Sequence, residues 1–220
     1  MKKALFCSTL LALSTGFADA QTAPAPAAAG AAPIETKVAS CIGCHGIKGY
    51  QASFPEVHKV PMIAGQDARY IAAALNAYKK GDRKHPTMRA IAGTLSDADI
   101  TDISAYYQQQ ARPASAPAQP AAAPEGVAAL LAKGACASCH GANYSKPVDG
   151  TYPKIAGQHA DYLYVALKSY KTEGGAQVGR NNAIMGAQVK QFTLAELKAM
   201  ANYLGALPSD LVTVPQSKFR

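Results

Sequence analysis

Beyond its first twenty residues the 220-residue sequence contains no apolar run long enough to cross a bilayer, since a spanning helix needs roughly 20 such residues. The mature chain is therefore expected to be soluble. No segment of convincing length alternates apolar and polar residues, which argues against a strand-built architecture and for helices. Basic patches interleaved with aromatics are also missing, and this argues against nucleic acid as a partner. Cysteine is confined as well. Of the five present, Cys7 lies in the amino-terminal segment and the other four fall in two Cys-x-x-Cys-His runs. Disulfides there would span only two intervening residues, would constrain little chain and would leave the histidines unexplained. A zinc site needs about four protein ligands, and neither half offers a second cysteine pair. A thioredoxin-like redox site would need a strand-helix context that is absent.

What is present begins with a secretory signal. Lys2 and Lys3 precede an apolar stretch over residues 4–17, and Ala18-Asp19-Ala20 supplies a small-x-small cleavage site. Cleavage after Ala20 and a periplasmic location are expected. Cys7 sits inside the apolar stretch instead of following it, which argues against a lipid anchor. The formal net charge of +8 falls by one when Lys2, Lys3 and Asp19 leave. That basic balance suits steering toward acidic partner surfaces, although solubility alone would account for it. The densest cluster, Lys79, Lys80, Arg83 and Lys84, reads as a solvated loop.

The mature chain repeats itself. Cys41-Ile-Gly-Cys44-His45-Gly46 matches Cys136-Ala-Ser-Cys139-His140-Gly141 at an offset of 95, and Pro61-Met-Ile-Ala-Gly-Gln66 matches Pro153-Lys-Ile-Ala-Gly-Gln158 at 92. A helical stripe follows in each half: Tyr70, Ile71, Ala74, Leu75 and Tyr78 recur as Tyr162, Leu163, Ala166, Leu167 and Tyr170, and reads as ordinary core. The halves close with helices whose starts carry capping signals, Ser96 with Asp99 and Thr193 with Glu196. Residues 112–125 are rich in Ala and Pro and read as a linker, and residues 21–33 as a disordered leader. The expected division is a signal at 1–20, the leader at 21–33, domains at 34–111 and 126–208 around the linker, and a tail at 209–220.

Cys-x-x-Cys-His is the signature of c-type haem attachment. On a helical turn, positions i, i+3 and i+4 share a face, so two thiols can bond the vinyl groups while the histidine reaches the iron from the same side. Two covalently bound haem c groups are expected, one at Cys41, Cys44 and His45, the other at Cys136, Cys139 and His140. A methionine opposite the histidine favours reduced iron, and the repeat selects among the methionines. Met88 aligns with Met185, each seven residues ahead of the final helix at Leu95 and Phe192. Met62 aligns with Lys154, and Met200 falls within the last helix as core. His85 competes with Met88, but the second half has Asn182 in its place. His58 and His159 have no histidine counterparts and read as surface residues. The Pro61 and Pro153 carbonyls are candidates to accept the imidazole N–H and fix its orientation.

With these residues in hand, the chain resembles the cytochrome c4 family over about residues 34–208: the two Cys-x-x-Cys-His-Gly sites, the two Pro-x-Ile-Ala-Gly-Gln runs, and Met88 and Met185. The Ala/Pro-rich leader and linker depart from it. The resemblance implies an all-α fold of two tandem class I cytochrome c-like domains. It also implies a non-enzymatic carrier of single electrons from a quinol-oxidising cytochrome complex to a terminal oxidase, working at the membrane surface. Two alternatives stand beside it: an electron-entry subunit of a dehydrogenase or oxidase, and a dihaem peroxidase, which would need one haem with an open position.

Overall fold

A computed structural model describes residues 32–111, 120–172 and 175–215. The expected signal peptide, nearly all of the leader, residues 112–119 of the linker and the last five residues lie outside these described residues.

The first half runs α1 (Ile34–His45), β1 (Gln51–Ala52), β2 (His58–Lys59), α2 (Ala68–Lys80), β3 (Arg83–Lys84), α3 (Pro86–Gly93) and α4 (Asp97–Gln108). The second runs α5 (Glu125–Lys133), α6 (Ala137–His140), α7 (Ala160–Lys171), β4 (Gly179–Arg180), α8 (Ala183–Lys190) and α9 (Leu194–Ala206). Local chemistry sets these boundaries. Asp67 caps α2 by accepting from the Arg69 N–H, and Gly81 ends it in the left-handed region that a residue without Cβ adopts freely. Pro86 opens α3, where its missing N–H has no intrahelical partner to lose. Both closing helices carry complete capping boxes, Ser96 with Asp99 and Thr193 with Glu196.

Each half has its own core. Val38, Ile71, Leu75, Ile100, Ile103 and Tyr107 pack together in the first, and Leu131, Leu163, Leu197, Met200, Ala201 and Leu204 in the second. Truncating one such Leu or Ile to Ala costs about 2–5 kcal/mol. Lys37 ties α1 to α4 by pairing with Asp99 and Asp102 at 2.9 and 2.6 Å.

The two Pro-x-Ile-Ala-Gly-Gln runs join the halves. In each, the Ala is buried, and the Gly takes a positive φ and donates its N–H to the closing helix: Gly65 to Tyr107 O and Gly157 to Leu204 O, both at 2.8 Å. The Gln then crosses over. Gln66 accepts from Lys154 N at 2.9 Å and donates to Lys154 O at 3.0 Å, while Gln158 accepts from Met62 N at 3.0 Å and donates to Met62 O at 2.8 Å. Both amides are buried and pair with a backbone N–H and C=O, so the contact is satisfied on all sides. Strands β3 and β4 add an antiparallel pair with Arg83 opposite Arg180.

The stretch after α9 is not a loose tail where it is described. Leu211 is buried, Val212 donates to Ala64 O of the first half at 3.1 Å, and Asp210 pairs with Lys154 at 2.6 Å. The second half thus ends by strapping onto the first.

Candidate functional site

The Cys-x-x-Cys-His runs sit at helix ends in both halves. Cys41, Cys44 and His45 form the last turn and a half of α1. In the second half the chain breaks after Lys133, and Cys136 precedes the single turn of α6 that carries Cys139 and His140. All four of these thiols are free of disulfides.

The histidines have the same partner in both halves. His45 Nδ1 lies 2.8 Å from Pro61 O, and His140 Nδ1 lies 2.9 Å from Pro153 O. A carbonyl only accepts, so Nδ1 carries the proton and Nε2 is left with its lone pair. Burial pushes both imidazoles below their ordinary value, and the proline carbonyls oppose this only in part. Both rings are therefore neutral in the physiological range, the form that can bind a metal. Burial likewise pushes the Cys41 and Cys136 thiols up.

Met88 and Met185 occupy the same place on α3 and α8. Each backbone N–H is held by the helix N-cap, Met88 by His85 Nδ1 at 3.4 Å and Met185 by Asn182 Oδ1 at 2.9 Å. The cysteines, histidines and methionines of both halves line one continuous cavity of about 620 Å³ whose walls are mostly apolar. Met200 is buried in the closing helix and reaches this cavity too. Donor chemistry and cavity suit haem: unbridged thiols, an imidazole with a free Nε2, a thioether and an apolar slot in each half.

Several sequence readings need correction. His58 is not on the surface. It is 5% exposed, its Nδ1 meets Glu56 O at 2.8 Å, and its ring packs by Tyr162 of the other half. His159 is half-buried. The basic cluster is not simply a solvated loop either. Arg83 is buried, and Lys79 and Lys84 donate to Leu95 O and Gly175 O. The tyrosines of the α2 and α7 stripes are more than core, since Tyr70, Tyr78, Tyr162 and Tyr170 face the cavity.

These tyrosines frame two arginines. Arg83 donates to Tyr70 Oη at 2.9 Å and lies over the Tyr70 and Tyr78 rings; Arg180 donates to Tyr162 Oη at 3.0 Å and lies over Tyr162 and Tyr170. Burial pushes the Tyr162 phenol up, but Arg180 and Arg83 outweigh it and leave it below its ordinary value. The arginines escaped the sequence reading, yet a signal existed: Arg83 and Arg180 recur at the offset of 97 that relates Met88 to Met185.

The cytochrome c family model matches residues 27–111 and again 125–208. A cytochrome c4 from Azotobacter vinelandii is 30% identical across 94% of this chain and all of that protein. The chain belongs to the cytochrome c4 family. A protein from Thiomonas intermedia described as a thiosulfate dehydrogenase electron acceptor is 33% identical over 84% of this chain and 85% of its own. The structure of Acidithiobacillus ferrooxidans cytochrome c4 superposes with a TM-score of 0.57 at 29% identity, covering 77% of this chain and 99% of that one. Membership in the cytochrome c4 family makes this an all-α, two-domain electron carrier with two covalently bound haem c groups, and not an enzyme. Its partners are other redox proteins. Among the described residues no helix is long and apolar enough to cross a membrane.

Proposed function

We propose that the chain carries single electrons through the periplasm, at the membrane surface, from a quinol-oxidising cytochrome complex to a terminal oxidase. In this reading Cys41 and Cys44 would bond one haem and Cys136 and Cys139 the other, and His45 with Met88, and His140 with Met185, would hold their irons. The observation that carries it is the matched donor set: each half presents two thiols, an oriented neutral imidazole and a thioether to the same cavity.

When bound, each haem supplies a one-electron ferric/ferrous couple. The polypeptide's part is to hold everything else still. Pro61 and Pro153 fix the tautomer and the tilt of the rings. His85 and Asn182 anchor the helix starts that bear Met88 and Met185. The apolar walls keep water from the centres and lower the local dielectric, which is one lever on potential. With a thioether available in both halves, neither site is built to leave a position open for peroxide.

A second reading has its own support. Besides the Thiomonas relative, a thiosulfate dehydrogenase structure from Marichromatium purpuratum aligns with 85% of this chain and 42% of its own at a TM-score of 0.56 and 26% identity. A dehydrogenase as the immediate donor fits that pattern. Stopped-flow mixing of the oxidised dihaem protein with a quinol-oxidising complex plus quinol, and separately with a thiosulfate dehydrogenase plus thiosulfate, decides between them. Fast reduction by the first and not the second is expected. The reverse result would replace the quinol-linked reading with the dehydrogenase one.

A further inference from the structure

The peptide group that links Pro153 to Lys154 is engaged at both ends. Its carbonyl oxygen accepts from His140 Nδ1 at 2.9 Å, and its N–H, on Lys154, donates to Gln66 Oε1 at 2.9 Å. The other motif repeats the arrangement with the halves exchanged. Pro61 O accepts from His45 Nδ1 at 2.8 Å, while the N–H of the same peptide, on Met62, donates to Gln158 Oε1 at 3.0 Å. Each histidine therefore heads a chain that runs from imidazole to peptide to glutamine, and the glutamine belongs to the opposite half.

Both amides are held so that they can play no other part. Gln66 and Gln158 are only 3% and 4% exposed, so solvent competes little for their bonds. Each Oε1 takes a second N–H, from Asp67 at 3.2 Å and from His159 at 3.0 Å, and each Nε2 donates to the next carbonyl of the partner motif, Lys154 O at 3.0 Å and Met62 O at 2.8 Å. With N–H donors at the oxygen and a carbonyl at the nitrogen, each amide fits only one way round. Lys154 is pinned again through its side chain, whose Nζ donates to Gly65 O at 2.7 Å and to Asp210 at 2.6 Å.

A peptide that gives away its N–H holds more negative charge on its oxygen, and bonds in such a chain strengthen one another by roughly 10–30% each. A stronger acceptor at Nδ1 makes an imidazole a more basic metal ligand. We propose that Gln66 is a positioning residue for His140 and Gln158 for His45, so that the histidine ligand of each haem is tuned by a side chain of the other half. A more basic imidazole favours ferric iron, so both glutamines hold the potentials down, opposing the methionines that raise them.

This inference rests on the dihaem reading with His45 and His140 on the irons, and haem content per chain separates the two. The test is a spectroelectrochemical titration of holoprotein carrying Gln66→Met or Gln158→Met, changes that keep the length of the side chain and remove the amide. A chain with Cys41 and Cys44 both changed to Ala, which retains the second-half haem, assigns the two waves. Gln66→Met should keep two haems and raise the reduction equilibrium of the second-half haem about threefold, roughly 28 mV for one electron, with little change in the first; Gln158→Met should do the opposite. Two haems with both potentials unmoved, as a purely structural contact would give, or a shift confined to the variant's own half, would overturn the assignment. A wild-type chain with fewer than two haems would instead overturn the reading beneath it. Hydrogen exchange in the wild-type ferrous protein needs no variant. The Lys154 N–H with the His140 Nδ1 proton, and the Met62 N–H with the His45 Nδ1 proton, should exchange as pairs and only when the halves part. Faster exchange of either backbone proton by local opening would overturn the proposal.

Discussion

In the first half the attachment cysteines ride on one continuous twelve-residue helix, whereas the second half breaks the same stretch into α5 and the four-residue α6. The break falls at Gly134 and Ala135. A Cβ at Gly134 would crowd Cys136 Sγ and the Phe192 ring, and Ala135 takes a positive φ. After the histidine the difference reverses. Pro61 follows His45 at an offset of 16, and Pro153 follows His140 at an offset of 13. The longer loop of the first half folds into the β1–β2 hairpin and reaches the other domain, where Lys59 N donates to Asp161 at 3.0 Å and Glu56 pairs with Lys168 at 2.9 Å. The shorter loop is wound more tightly: Asn143 is buried and accepts from Ser145 N and Lys146 N, and Gly141 takes a positive φ hard against the Lys146 carbonyl; it meets the other half through Asp149, which pairs with Arg69 at 3.3 Å. The lesson is that the donor atoms are placed alike while the frame around them is free to vary. The two halves share the short-range geometry that a haem demands, while the loops that dock one half on the other differ in length and in the pairs they make.

The cavity walls differ in polarity as well. Tyr107 in the first half stands where Leu204 stands in the second. Its buried hydroxyl has Cys41 as its polar neighbour, and burial pushes that phenol up strongly. His85 stands where Asn182 does. The two centres are therefore not expected to share one potential.

The comparison breaks most severely when one site is removed. Replacing both Cys41 and Cys44 with Ala should cut covalent haem from two per chain to about one, measured by the haem-to-protein ratio after denaturation. Equal loss from both halves would mean that the sites do not load independently. Met88→Ala and Met185→Ala should each remove one haem's share of the near-infrared methionine-to-iron band and lower that haem's potential. A variant that leaves the band intact would show that its methionine is not a ligand.

At the interface the pseudo-symmetry itself is tested. Gln66→Ala and Gln158→Ala each strand a backbone N–H and C=O of the opposite half, and unpaired buried groups cost about 1–3 kcal/mol. Calorimetry should show a similar loss for both and a split of the melt into two transitions. A clearly unequal loss would mean that the crossed amides are not equivalent. The smallest effect sharpens the contrast between the walls. Tyr107→Phe removes a buried hydroxyl that has no hydrogen-bond partner beside Cys41, and should shift the first haem's potential by less than a methionine change does and leave the second haem where it was. A shift of both would place the cause outside the first pocket.

The elements legible in the sequence were those coded over a few residues and then repeated. The Cys-x-x-Cys-His runs, the capping boxes at Ser96 and Thr193, and the paired positions of Met88 and Met185 needed no knowledge of the other half. His45 could be matched to Pro61 because the proline recurs with the histidine. What escaped was set by contacts between halves. Gln66 and Gln158 stood in plain view within a repeated motif, but nothing local says that a glutamine reaches across a domain boundary. Arg83 looked like part of a lysine-rich loop because nothing local says that it folds over the Tyr70 and Tyr78 rings and pairs in register with Arg180, 97 residues away. His58 was hidden for the same reason, its ring being covered by Tyr162. The stretch 209–215 has too few apolar residues to announce that Leu211 and Val212 pack down.

The most direct test of the account is the absorption of the purified holoprotein through a full reductive titration, with haem counted per chain and the near-infrared band followed throughout. Two haems, low-spin spectra in both oxidation states and a methionine band of full strength for both centres are predicted, resolved as two one-electron steps. One haem per chain, or a high-spin component that reacts with peroxide, would contradict the carrier and point to an enzyme with an open coordination position.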